Sequence, residues 1–118
     1  MSDCLFCKIV AGDIPSNKIY EDAHLFAFHD INPQAPVHAL VIPKRHIETL
    51  DDLTEPDREL AGHLLERTTH IARLLGVAEA GYRTMINTRS DGGQEVYHIH
   101  VHILGGKRIG PMVCRQSS

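Results

Sequence analysis

The sequence predicts an α+β fold built around a mostly antiparallel sheet, and three observations carry that expectation. Its segments run in the order helix, three strands, long helix, two strands, without the strict alternation a parallel sheet needs. One long segment has its apolar residues at helical spacing, so it needs a sheet to cover. Splitting 118 residues into two cores would leave about 60 each, a marginal size, so one domain over 1–118 is expected.

Residues 4–11 read as a short helix, stopped by Gly12 and then by Ile14-Pro15. Residues 19–21 and 24–29 read as two strands around a tight turn at Asp22-Ala23. Pro33 and Pro36 would interrupt any ladder, so residues 32–36 are a loop. Residues 37–42 form a third, largely apolar strand ended by Pro43. The long helix spans 54–75. Thr54 and Asp57 approximate a capping box, and Pro56 is tolerated in a first turn. Leu60, Leu64, Ile71 and Leu75, backed by Leu65 and Leu74, form its apolar face, and Gly76 follows as a cap. Residues 82–88 and 98–104 supply the last two strands, joined through Ser90-Asp91-Gly92-Gly93. The tail, 105–118, has no strong pattern.

Composition excludes several classes. Lys+Arg total 12 against 15 Asp+Glu, so no basic surface for nucleic acid is expected. No apolar run approaches the ~18 residues of a membrane span. The opening segment has neither a basic region nor a long apolar run, so it does not read as a secretory signal. Three cysteines are an odd number, unsuited to a disulfide framework, and a reducing cytoplasm fits them best. Nine histidines in a chain without tryptophan are the anomaly, because three fall within five residues.

In a strand, positions i, i+2 and i+4 share a face, so His98, His100 and His102 are expected to point one way. Ile99, Val101 and Ile103 then point the other way, toward the long helix. Three readings stand at this point. A solvated polar face explains the polarity but not the choice of His three times. Three imidazoles can also hold zinc. The favoured reading is a site that handles phosphate, since imidazole is nucleophilic near neutral pH and can donate to phosphate oxygens. The Asp91-Gly92-Gly93-Gln94 loop adds a moderate signal, because its glycines admit close backbone approach and an anion-binding nest.

His98-x-His100-x-His102 resembles the motif of the histidine-triad (HIT) nucleotide hydrolases and transferases. Residues 27–36, 41–44, 92–98, 104–106 and 110–112 look like the Hint branch of that family, in a bacterial form. The resemblance covers nearly the whole chain. It implies a five-stranded antiparallel sheet with one long and one short helix, doubled across a homodimer. It implies a hydrolase that cleaves purine nucleoside 5′-phosphoramidates, such as AMP–amine conjugates or adenylates, and releases the nucleoside monophosphate. His100 would be the nucleophile of a covalent nucleotidyl-histidine intermediate, His102 would hold phosphate oxygens, and His38 would complete the relay. Asp30 would accept from the ribose hydroxyls. Phe6, Ile9, Ile14, Phe28, His29 and Ile31 would wall the base. Asn87 with Gly93, Gln94 and Glu95 would meet the phosphate or leaving group. Glu95 departs from the animal Hint pattern, where serine commonly stands, so its backbone N–H is expected to serve while its side chain turns away. No catalytic metal is expected. Dinucleoside polyphosphate hydrolysis and a nucleotide-binding regulatory module are the alternative functions.

Cys4-x-x-Cys7 has the spacing of half a zinc site or of a dithiol pair, and two small buried thiols would look the same. The HIT resemblance implies a structural zinc completed by His46 and His98. Cys114 has no assigned role, and His24, His63 and His70 are expected to be surface or helix residues.

Overall fold

A computed structural model describes residues 3–113 of the chain, so Cys114 lies outside the described residues. Helix α1 spans Leu5–Ala11, followed by strands β1 (Lys18–Glu21), β2 (Leu25–His29) and β3 (Val37–Pro43). Helix α2 (Arg58–Leu74), strand β4 (Arg83–Met85), the short helix α3 (Arg89–Gly92) and strand β5 (Val101–Gly105) complete it. The five strands form one sheet in the order β1-β2-β3-β5-β4, every neighbouring pair antiparallel. The expected α+β architecture is the one observed.

Strand alternation divides the core into two layers. On one face, Leu25, Ala27, Ala39, Val41, Val101 and Ile103 pack with Leu64, Ile71 and Ala72 of α2. On the other, Phe26, Phe28, Leu40 and Ile42 pack with Phe6 and Ile9 of α1. Both faces of the sheet are therefore covered, but the seven-residue α1 covers only part of its side. The uncovered remainder is where the histidines lie. No helix among the described residues is long and apolar enough to cross a membrane.

Helix α2 begins later than the sequence indicates. The Thr54–Asp57 capping box forms, with the Asp57 carboxylate accepting from both the Thr54 N–H and hydroxyl, but residues Glu55–Asp57 make a 3-10 turn first. Arg45 pairs with the same carboxylate and holds it below its usual pKa, together with those Thr54 bonds. The buried stripe is Leu64, Thr68, Ile71 and Ala72. Leu65 and Leu74, expected to back that stripe, are 58% and 55% exposed because at about 100° per residue they fall beyond its edge. Thr68 takes a stripe position with its hydroxyl donating to the Leu64 carbonyl, so no buried donor is left unpaired there. The helix ends as expected, with Gly76 in the left-handed region at φ 76°.

Two strands are shorter than expected. Residues 86–88 leave the sheet because Arg89, at φ 58°, turns the chain into α3, where a plain loop was expected. Residues 98–100 precede the β5 ladder. The Ile99 N–H donates instead to the Ile47 carbonyl, and the His98 ring is committed elsewhere.

Candidate active site and metal cluster

The three histidines of the motif do share a face. His98 and His100 both meet Phe6 edge-on, with ring centroids 5.9 and 5.0 Å away, and the His100 and His102 rings lie 4.9 Å apart. They do not form one group, however. His98 joins the cysteines at one end, whereas His100 and His102 join His38 in a cleft.

That cleft has a volume of about 940 Å³. Its apolar wall comes from α1, the segment after it and the sheet: Phe6, Ile9, Ile14 and Phe28. Phe6 and Ile9 stand three residues apart on the inner side of α1, and Phe6 meets Phe28 edge-on at 5.5 Å. The polar end holds His38, His100 and His102, and Asp30, His29, Asn87, Gly93 and Glu95 also line the cleft. Ile31 reaches it too, yet is 99% exposed, so it stands at the mouth and is not a core residue.

Hydrogen bonding settles which nitrogen of each ring carries a proton. The carbonyl of His98 can only accept, so His100 Nδ1 donates to it at 2.7 Å. The lone pair of neutral His100 therefore sits on Nε2. The Gln34 N–H can only donate, so His38 Nδ1 accepts at 3.0 Å. Neutral His38 then carries its proton on Nε2, 2.9 Å from His102 Nδ1 and 3.3 Å from Asp30 Oδ2. His102 accepts on Nδ1 and bears its own proton on Nε2, which is buried and has no protein partner among the described residues. The arrangement supplies one bare nitrogen beside one unsatisfied donor. A buried donor of that kind invites an acceptor from a ligand.

Burial disfavours the charged form of all three rings. It lowers the pKa of His100 against the opposing pull of the His98 carbonyl, Asp30 and Glu95. It lowers that of His38 against Asp30. For His102, burial and then the neighbouring His100 and His38 bring it down to about 4. The unfolded chain, near the ordinary 6.5, thus takes up this proton first as pH falls. Neutral His102 contributes its full stability above pH 6.5 and loses it progressively toward about 4. Urea melts across that window should show the midpoint falling with pH, and His102→Gln should flatten the slope.

One sequence expectation changes here, and two others gain detail. The Gln94 side chain does not face the cleft. It is buried as a strut, its amide donating to the Glu48 and Val96 carbonyls and its oxygen accepting from the Arg89 N–H. The Gly93 geometry, φ 79°, caps α3, so its left-handed backbone already has a structural reason. Glu95 is exposed and lines the cleft, and its charge raises the proton affinity of His100. The structure also adds cleft residues that sequence reasoning missed, among them Ser16, Asn17, Asn32 and Gln34. Proline and glycine marked the neighbouring segments as loops, but nothing local marked which loops would meet.

The second feature is a cluster of Cys4, Cys7, His46 and His98, whose four ligand atoms all lie within 4.8 Å of one another. His98 Nε2 donates to the Pro43 carbonyl at 2.7 Å, which leaves Nδ1 bare and turned to the cluster. That nitrogen is 3.3 Å from Cys4 Sγ, 3.5 Å from Cys7 Sγ and 3.3 Å from His46 Nδ1, and Cys7 Sγ lies 3.3 Å from His46 Nδ1. Ligands of a tetrahedron with bonds of ~2.3 Å to sulfur and ~2.0 Å to nitrogen stand roughly 3.3–3.8 Å apart. The four residues fit a tetrahedral metal. A third grouping, Asp30, His38 and His102, is equally tight. There the protonated Nε2 of His38 points inward and offers no lone pair.

The sheet, the histidine row and the cleft define the class of protein. Residues 11–109 match the model of the HIT domain. The purine nucleoside phosphoramidase of Escherichia coli K12 is 44% identical over 114 residues, covering 97% of this chain and 96% of that protein. A HIT family hydrolase from Legionella pneumophila superposes with a TM-score of 0.89 at 50% identity, covering 92% of this chain and 96% of the other. A histidine triad protein from Clostridium difficile gives 0.91 at 44% identity, covering 96% and 98%. The chain belongs to the HIT family.

Proposed function

We propose that this protein hydrolyses purine nucleoside 5′-phosphoramidates through a nucleotidyl-His100 intermediate. The observation that carries the reading is the pairing of a bare His100 Nε2 with the unpartnered Nε2–H of His102 at the polar end of the cleft. The purine would lie against Phe6, Ile9 and Phe28, with the ribose toward Asp30 and the α-phosphate between the two imidazoles. His100 Nε2 attacks phosphorus, the phosphorus–nitrogen bond to the amine breaks, and the departing amine nitrogen takes a proton from solvent at the open mouth of the cleft. Water then attacks phosphorus and gives a proton back to solvent, the bond to Nε2 breaks with its electron pair returning to the ring, and the nucleoside monophosphate is released. His102 donates its Nε2 proton as a hydrogen bond to a phosphate oxygen, and His38, anchored by the Gln34 N–H, holds that tautomer. The 44% identity to a protein named purine nucleoside phosphoramidase supports the choice of leaving group. Turnover of an AMP–amine conjugate should exceed that of a diadenosine polyphosphate. The reverse order would reject the phosphoramidate reading in favour of polyphosphate hydrolysis.

The reading includes a structural zinc on Cys4, Cys7, His46 and His98, in a reducing cytoplasm where the thiols stay available. It also includes a homodimer. β4 is an open edge strand of three residues, and exposed Leu65, Leu74 and Met112 leave apolar surface for a second copy. Light scattering should give a mass near twice 13.2 kDa at micromolar concentration, and a monomer there would reject the dimer.

A further inference from the structure

The metal cluster and the cleft share a helix. Cys4 caps α1 and Cys7 lies in its first turn, interleaved with Phe6 and Ile9, which form the cleft wall. Among the described residues, the side-chain hydrogen bonds from α1 to the rest of the fold run through these thiols, to His46 and His98. The helix has only seven residues, too few to persist without tertiary anchoring, which comes from the packing of Phe6 and Ile9 and from these thiols. Its N-terminal turn is itself closed by the Cys7 N–H donating to Cys4 Sγ at 3.4 Å. His98, in contrast, is held independently of the cluster. Its ring donates to the Pro43 carbonyl, and the next N–H donates to Ile47. Loosening the cluster therefore frees α1 far more than the segment that carries His100 into β5.

We infer that Cys4, Cys7 and His46 are positioning residues for nucleotide binding: with a metal they pin α1 so that Phe6 and Ile9 form a wall for the base. The inference rests on the nucleotide reading of the cleft. It assigns the cluster an effect on affinity that a purely structural site would not have. His46 is the informative ligand, since it is exposed, lies outside α1 and does not line the cleft.

The test is calorimetric titration of the full zinc-loaded chain with AMP, compared with His46→Ala and with Cys7→Ala. Each variant is checked for metal content, circular dichroism and amide exchange of residues 8–12. The expected result is at least a tenfold loss of AMP affinity with faster exchange in α1, while maximal turnover falls less than threefold. Chelating the metal from the unaltered protein should reproduce the loss, and restoring zinc should reverse it, which covers a variant that fails to fold. Metal-depleted folded protein that binds AMP as tightly as the loaded form overturns the inference and leaves the nucleotide reading intact. Protein purified reduced and free of metal also overturns it. If the loaded, unaltered protein binds no AMP, the nucleotide reading itself fails.

Discussion

Replacing His100 by Ala should lower turnover of an AMP–amine conjugate by about three to six orders of magnitude, the range seen when a nucleophile acting as part of a unit is removed. The fold should survive, because the ring lies on the cleft side of the sheet while Val101 and Ile103 build the opposite core layer. AMP affinity should change far less, since the apolar wall and Asp30 remain. In the unaltered enzyme, rapid quenching should trap an acid-labile phosphorus–nitrogen adduct at His100. The bare Nε2 is the reason for proposing this residue, and not its neighbours, as the nucleophile. His102 bears a proton on its inward nitrogen, and His98 has turned its lone pair to the cysteines. An adduct mapped to His102, or an Ala variant that keeps most of its turnover, would overturn the mechanism.

Removing metal should lower the melting temperature by roughly 10 °C, for a contribution of about 2–3 kcal/mol in a chain of this length. About one zinc per chain is expected by elemental analysis, as one tetrahedral set of four ligands requires. The reason lies in what the cluster joins. Cys4 and Cys7 come from the start of the chain, His46 from the loop after β3, and His98 from the approach to β5. Burial raises the pKa of the Cys4 thiol, so without a cation the site keeps a proton that metal binding would displace. A melting temperature unmoved by chelation, in protein shown to have contained zinc, would reject a stabilising role.

Much of the molecule was legible locally. The Thr54–Asp57 box and Gly76 bracketed α2 because capping is a matter of a few consecutive residues. The alternation from His98 to Leu104 predicted three imidazoles on one face from strand geometry, and they do share one, although only His102 lies within β5 itself. What failed were inferences that needed a partner. Leu65 and Leu74 read by helical spacing as backing the apolar face but lie beyond the edge of the face that the sheet covers. Gln94 read as a ligand contact, yet its amide matches three backbone groups brought near it by the loop after β3 and by α3.

The sequence by itself determined the order of elements, the antiparallel α+β class, the shared face of the histidines and, through its resemblance to the HIT family, which of them to suspect. Only the tertiary structure decided which nitrogen each of these imidazoles leaves bare. A histidine's role depends on which nitrogen is bare, and that is set by the groups that fold against it: the Gln34 N–H on His38, the His98 carbonyl on His100 and the Pro43 carbonyl on His98. Of these, the Pro43 carbonyl stands far from its histidine in the chain, and the ring of His102 takes its proton direction from His38, 64 residues away. Such partners are chosen by strand register, β3 against β5, and a pattern of residue types along one strand carries no information about the strand beside it.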